Sequence, residues 1–108
     1  MLNQVILVGR LTKDVELKKK GNKIIGDLKL AVPRPFKNEE GIFETDFIPC
    51  TVYGEIAKHT SEYCKKGDII GIKGRLQTFK AGEKTELFIT AEKVTFLQSA
   101  NKEENKNE

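Results

Sequence analysis

The sequence predicts an all-β domain of five strands with one helix between the third and fourth strands, curled into a small barrel. Several stretches alternate apolar and polar residues with the two-residue period of strands, whereas residues 55–66 carry the apolar spacing of a helix. Gly71 and Gly74 interrupt one strand-like stretch, and glycines let a strand coil as strongly as a small barrel requires. The 108 residues are enough for one domain with a single core.

The first predicted strand, residues 3–10, is apolar on both faces through Val5 to Val8. Both faces are therefore expected to be covered, one by the domain's own core. The other face meets either a second subunit or a loop of the same barrel. Residues 11–17 continue or bend this strand, and the lysine-rich residues 18–23 form a hairpin turn around Gly-Asn. Lysines at such a tip are usually solvated, with a ligand contact as the alternative.

Residues 24–32 alternate as the second strand, and residues 33–41 are expected to form a loop. Two prolines bracket Arg34 there, and proline donates no backbone hydrogen bond. The predicted loop is longer than most hairpin connections and carries an exposed ring, Phe36, beside Arg34. Loops of this length are often functional, which makes both residues candidates for a binding site.

The third strand, residues 43–54, separates small apolar residues from rings. Its even positions suit a core, and its odd positions place Phe43, Phe47 and Tyr53 on the opposite face. Two interpretations of these rings remain open at this stage. They form either a second packing layer or subunit contact, or a platform on which a flat ligand stacks.

The helix is predicted at residues 55–66, with Ile56, Thr60 and Tyr63 on its inner side. The fourth strand covers residues 68–80 and the fifth residues 85–97. The inward positions expected on these strands are Ile70, Ile72, Gly74, Leu76, Leu87, Ile89 and Ala91. The outward positions of the fourth strand form a row that contains Lys73, Arg75 and, at its end, Phe79.

This order of strands and helix is that of an OB-fold, here predicted for residues 1–97 with a short, disordered polar tail at 98–108. In that fold Phe36, Phe47 and Tyr53 can share a face with Lys73 and Arg75. Rings interleaved with cations suit single-stranded nucleic acid, because unpaired bases stack on rings while cations follow the phosphates. The sequence therefore predicts binding of single-stranded nucleic acid without sequence preference, either DNA or, as the alternative, RNA or a replication-restart complex that uses the same face.

Composition narrows the remaining classes of function. The net charge of +3 is compatible with a polyanionic partner without being diagnostic of one. One histidine and scattered carboxylates predict neither an enzyme nor a metal site, and no cofactor is expected. No apolar stretch suggests a membrane span or a signal peptide, so we expect a cytoplasmic protein with Cys50 and Cys64 reduced in the core.

Four blocks carry a family resemblance: VILVGRLTKD at 5–14, DFIPC at 46–50, SEYCKKG at 61–67 and GRLQT at 74–78. In this order they resemble the bacterial single-stranded DNA-binding proteins over residues 3–97. The resemblance implies an OB-fold that assembles as a homotetramer through first-strand edges, and a protein that coats unwound DNA in replication, recombination and repair. It implies base stacking on Phe36, Phe47 and Tyr53, and phosphate contacts from the segments of Lys66, Lys73 and Arg75.

The chain also departs from that family. It contains no tryptophan, so weaker stacking for each base is expected. The loop after Phe79 is shorter than the family's, and Pro49 stands where a polar or basic residue is usual. The last residues lack a long Gly/Gln/Pro linker and an acidic tip ending in Pro-Phe. Recruitment of replication proteins through a tail is therefore not expected, and a short-tailed phage or plasmid member is one interpretation, a shortened chain another.

Overall fold

A computed structural model describes residues 1–100, which form one sheet of six strands and a single helix. The elements are β1 Val5–Leu11, β2 Glu16–Lys20, β3 Lys23–Lys37, β4 Phe43–Tyr53, α1 Gly54–Tyr63, β5 Ile69–Ala81 and β6 Lys84–Gln98. The strand order is β1-β5-β6-β4-β3-β2, and a pairing of β1 with β3 closes the sheet. The contacts are antiparallel except for β4 with β6. The predicted OB-fold is confirmed.

The predicted first strand is divided in two, which is why the structure has six strands instead of five. Thr12 leaves the ladder of β1 and uses both its backbone N–H and its hydroxyl to donate to the carbonyl oxygen of Lys29. Val15 is buried before β2 begins. The helix therefore follows β4, the third strand if β1 and β2 are counted together.

The predicted loop at 33–41 is wrong, because β3 runs on to Lys37 and only residues 38–42 connect it to β4. The register with β4 shifts between Pro33 and Lys37. A bulge leaves some backbone groups outside the ladder, so proline's missing donor costs little there. Asn38 closes the turn, because its side-chain oxygen accepts hydrogen bonds from the N–H groups of Glu40 and Ile42.

The helix is shorter than predicted and buries a different side. It ends at Tyr63, and the N–H of Cys64 makes the last helical bond, to Thr60. The chain turns away because the buried carboxylate of Asp68 accepts the N–H of Lys65. Ala57 and Thr60 face the core, whereas the predicted inner residues Ile56 and Tyr63 are exposed, so only Thr60 was assigned correctly.

The core lies inside the barrel and is apolar. Its members are Leu11, Val15, Leu28, Leu30, Cys50, Val52, Ala57, Cys64, Ile70, Ile72, Ile89 and Ala91. Leu76 and Leu87, predicted to lie inside, are 42% and 56% exposed. They were misplaced because β5 and β6 continue past the barrel as a two-stranded arm, which the pattern within a strand does not reveal.

The predicted polar tail at 98–108 falls mostly outside the described residues, which end at Ala100. Gln98 is the last residue of β6. The N–H of Ala100 donates to the carboxylate of Asp68 at 3.1 Å.

Candidate nucleic-acid interface

The register of β2, β3 and β4 decides which side chains share the outer face of the barrel. Residues directly opposite each other in an antiparallel ladder point to the same side of the sheet. Phe47 lies opposite Ala31, and Tyr53 lies opposite Ile25. The two rings are thus on one face, six residues or about 20 Å apart along β4. Phe47 is 61% exposed and Tyr53 43% exposed, so neither is part of a packed layer within this chain.

A groove of about 380 Å³ lies beside Tyr53. Phe79 and Phe88 contribute rings from the arm of β5 and β6. These two rings meet edge to face, with centroids 5.6 Å apart, a favoured arrangement for aromatic pairs. Lys13 and Lys29 also line this groove. Rings and ammonium groups therefore meet around one open space, as base stacking with nearby phosphate contacts requires.

A second, mostly apolar groove of about 370 Å³ lies beside Phe47. The exposed Leu76 and Leu87 line it together with Phe88, which also lines the groove beside Tyr53. Phe88 thus joins the surroundings of Phe47 and Tyr53 into one path. Sequence analysis did not single out Phe88. Its position between Leu87 and the buried Ile89 was the signal that it faces away from the core.

Phe36 lies near the end of β3, on the part of the hairpin that extends beyond the bulge, and is exposed. The next residue, Lys37, lies opposite Phe43, and its ammonium sits 5.6 Å from the centroid of the Phe43 ring, within the range of a cation–π contact. The extended hairpin therefore carries further rings beyond Phe47, on strands rather than on the loop that the sequence predicted.

Arg34 is held by two carboxylates on β4. Its Nε donates to Asp46 Oδ2 at 3.1 Å and its Nη2 to Asp46 Oδ1 at 2.9 Å, while Nη1 reaches Glu44. The hydrogen bond from Arg34 lowers the pKa of Asp46, and the same bond raises the pKa of Arg34. The guanidinium is therefore occupied by protein carboxylates, and a phosphate would compete with them.

The other predicted cations lie elsewhere on the barrel. Lys73 lies opposite Ile6 and Lys93 on the outer face of β1, β5 and β6, in a groove that shares no residue with the one beside Tyr53. Arg75 Nη1 donates to Glu92 at 3.0 Å. Lys66 sits in the turn after α1, where its N–H donates to Asp14. None of these three cations lines the groove of Phe47 or of Tyr53. Arg75 alone shares their face, because it lies opposite Thr90 and Thr90 lies beside Thr51 of β4.

Metal ligation adds nothing to this surface among residues 1–100. No three His, Cys, Asp or Glu side chains in that part of the chain are placed to hold a metal ion. His59 stacks on Tyr63 at 6.1 Å. Burial raises the pKa of the Cys50 thiol to about 12 and also raises that of Cys64, which keeps both in the unreactive thiol form. No helix in the described residues has the length and apolar character needed to cross a membrane.

Comparison with known proteins identifies the family. The model of the "Single-strand binding protein family" matches residues 2–97. The chain belongs to this family. A "Single-stranded DNA-binding protein" of Halalkalibacterium halodurans is 44% identical over 104 residues, covering 91% of this chain and 62% of that protein. "Single-stranded DNA-binding protein B" of Bacillus subtilis is 40% identical over 103 residues, covering 90% of this chain and 91% of that protein.

Family members thus differ in length around a shared domain. The chain spans 62–66% of several relatives, among them those of Halalkalibacterium halodurans, Oceanobacillus iheyensis and Listeria innocua. The predicted family is confirmed by both comparisons.

Proposed function

We propose that this family member is a non-enzymatic protein that coats single-stranded DNA without sequence preference, protecting unwound strands during replication, recombination and repair. The observation that carries the proposal is the row of exposed rings from Phe47 to Tyr53, with Phe79 and Phe88 beside it and lysines around it. The names of the relatives support the same ligand. A duplex hides the faces of its bases, so rings of this kind favour unpaired strands.

The chemistry follows from the two grooves. Rings offer each unpaired base a stacking surface that accepts any base, and removing one typically costs about 1–3 kcal/mol. Lys29, in the groove beside Tyr53, is placed to neutralise a phosphate of DNA stacked there, whereas Lys13 of the same groove must first leave Glu16, whose Oε1 lies 3.2 Å from its Nζ. Arg34 and Arg75 must first be released from their carboxylate partners; the register puts Arg75 opposite Thr90, which lies beside Thr51 of the groove next to Tyr53. Lys73 and Lys66 contact the same DNA only if the DNA leaves this face and follows the barrel around.

Fluorescence anisotropy of a labelled oligo-dT tests the stacking role of single rings. Phe47→Ala is expected to weaken binding by about 5–140-fold, the equivalent of losing one stacked base. Tyr63→Ala is the matched control, because this ring, 68% exposed against 61% for Phe47, is at least as accessible to solvent but lies on α1. Equal affinities for the wild-type protein and Phe47→Ala would overturn the stacking model and favour rings that serve an assembly contact.

An equal length of oligo-U as competitor separates DNA binding from the RNA alternative. We expect oligo-dT to compete more strongly than oligo-U. A clear preference for oligo-U would replace DNA with RNA as the ligand, while leaving the stacking face in place.

We propose further that the chain assembles as a homotetramer through β1. Ile6 is 71% exposed, and Val8 beside it on the same outer face is also exposed. Within residues 1–100, β1 pairs with β3 at Arg10 and Leu11 alone, so the edge from Val5 to Val8 is open to a second copy. Covering this edge and face explains why β1 is apolar on both sides.

Light scattering at micromolar concentration tests the assembly. Wild-type protein is expected at four times the mass of the chain, and Val8→Glu at a lower mass because a buried, unpaired carboxylate is costly. A monomeric wild-type protein would overturn this part of the proposal.

We also propose a cytoplasmic, nucleoid-associated location, which imaging of the tagged protein in dividing cells would test.

A further inference from the structure

The tip of the hairpin between β2 and β3 carries an unusual concentration of positive charge. Lys18, Lys19, Lys20 and Lys23 all lie within six positions, and all are exposed. Lys20 and Lys23 lie directly opposite each other across the ladder. Like charges in that position destabilise a hairpin. The two facing ammonium groups therefore lower the stability of the hairpin, and hairpin stability does not explain why they are there.

The lysines of this tip differ in whether they form an ion pair with a carboxylate. Lys18 Nζ lies 3.3 Å from Asp27 Oδ2. In the part of the chain that the structure describes, no carboxylate lies within ion-pair distance of Lys20 or Lys23. In this respect they differ from Arg34 and Arg75, whose guanidinium groups are bound by acidic side chains.

The register places Lys20 and Lys23 on the face that carries the rings. Tyr53 lies opposite Ile25, and Ile25 lies opposite Lys18. The pair of Lys20 and Lys23 comes two residues further along the same face, a step of about 7 Å. These two lysines thus continue the line from Phe47 to Tyr53 beyond its last ring.

An open groove of about 450 Å³ connects Tyr53 to the tip. It is lined by Tyr53, Gly54, Glu55 and the tip residues 22–24, including Lys23. Tyr53 therefore stands between two grooves, the one with Phe79 and Phe88 and this one. Glu55 is the one acidic side chain lining it, and Lys58 Nζ lies 3.9 Å from its carboxylate. The row of rings ends at Tyr53, and the path beyond it leads to the charged lysine tip.

We propose that Lys20 and Lys23 bind backbone phosphates of the single strand after it leaves Tyr53, as a separate phosphate-binding site with no base contacts. This inference rests on the proposed function. The site lengthens the path of the strand and adds affinity that depends on salt but not on sequence, because neutralised phosphates release bound counterions. It acts only on strands long enough to reach beyond the stacking face.

The test measures how the affinity for oligo-dT falls with salt, for one oligonucleotide of about 5 nucleotides and one of about 15, lengths near the lower and upper ends of the OB-fold site sizes. For Lys20→Gln/Lys23→Gln on the long strand, the slope of log K against log salt should be less steep by about 1.4, or 0.7 for each phosphate. Between about 50 and 200 mM salt, the wild-type protein should thus lose about sevenfold more affinity than this variant. On the short strand the two proteins should behave alike.

Lys65→Gln/Lys93→Gln is the control with the same loss of charge, since both lysines are exposed but lie after α1 and on β6, outside the grooves of Phe47, Tyr53 and the tip. Thermal unfolding of all variants verifies that the fold is unchanged. A long-strand slope of Lys20→Gln/Lys23→Gln equal to that of the wild-type protein or of the control would overturn the proposal. If Phe47→Ala still weakens binding in that case, only this site fails. If Phe47→Ala has no effect either, the proposed function fails.

Discussion

Gly74 on β5 is a position where the addition of one methyl group should destabilise the barrel strongly. A Cβ atom built there lies 2.0 Å from the carbonyl oxygen of Thr90 and 2.9 Å from its carbonyl carbon. Both are backbone atoms of β6, held in the ladder next to a register shift. The neighbour cannot rotate away as a side chain would, so the two strands must separate.

Overpacking typically costs about 1–3 kcal/mol, and a backbone obstacle places Gly74→Ala at the upper end, about 3 kcal/mol. For a domain of this size that loss lowers the midpoint of thermal unfolding by about 12–24 °C. Gly71→Ala is the matched control on the same strand, because the nearest atom to its added Cβ is a Leu97 methyl at 3.6 Å, an ordinary contact. Its midpoint should stay unchanged or rise, since alanine loses less backbone entropy than glycine on folding.

Calorimetry or circular dichroism at one fixed protein concentration measures both midpoints, because assembly makes the midpoint depend on concentration. Equal midpoints for Gly74→Ala and Gly71→Ala would contradict the close approach of β5 and β6. A large loss for Gly71→Ala would instead indicate that this face is covered more tightly than the single chain shows.

Two further predictions concern charge and thiol chemistry. Glu44→Gln/Asp46→Asn should release Arg34 to bind a phosphate, so the slope of log K against log salt for oligo-dT binding should become steeper by about 0.7. Adding Arg34→Gln to this variant should return the slope to its wild-type value. An unchanged slope in Glu44→Gln/Asp46→Asn would show that Arg34 contacts no DNA. Cys50 should resist alkylation at pH 8 in the folded protein and react in urea. Its raised pKa keeps the folded thiol neutral, while the unfolded thiol ionises above about pH 9, so the free energy of unfolding should fall as the pH rises beyond that; rapid labelling of Cys50 without denaturant would contradict its burial.

The features that the sequence predicted well depend on the alternation within single strands. Phe47 and Tyr53 occupy odd positions of β4 while Cys50 and Val52 occupy even ones, and one strand suffices to separate them. Burial of Cys50 and Val52 follows from the same alternation, as does exposure of the two rings.

The features that the sequence missed depend on neighbours far away in the chain. Leu76 has the same apolar pattern as Ile72, but it lies at the rim of the barrel, where β5 and β6 begin to extend as the arm, and its side chain is 42% exposed. The partners of Arg34 lie on the next strand, across a bulge that alternation does not predict. Lys73 points outward as expected, yet its strand lies between β1 and β6 instead of beside β4. Predicting whether Lys73 lies near Tyr53 therefore required the order of the strands in the sheet, which the alternation within a single strand does not give.

The central claim is that exposed rings on β4 and on the arm bind bases that are not paired. Competition between unlabelled oligo-dT and a duplex of equal length for the wild-type protein, at fixed salt, tests it most directly. The duplex cannot offer its base faces to Phe47 and Tyr53, so we expect it to displace labelled oligo-dT far less effectively than the single strand does. Equal displacement by the two competitors would contradict the claim, because binding would then depend on phosphate charge alone.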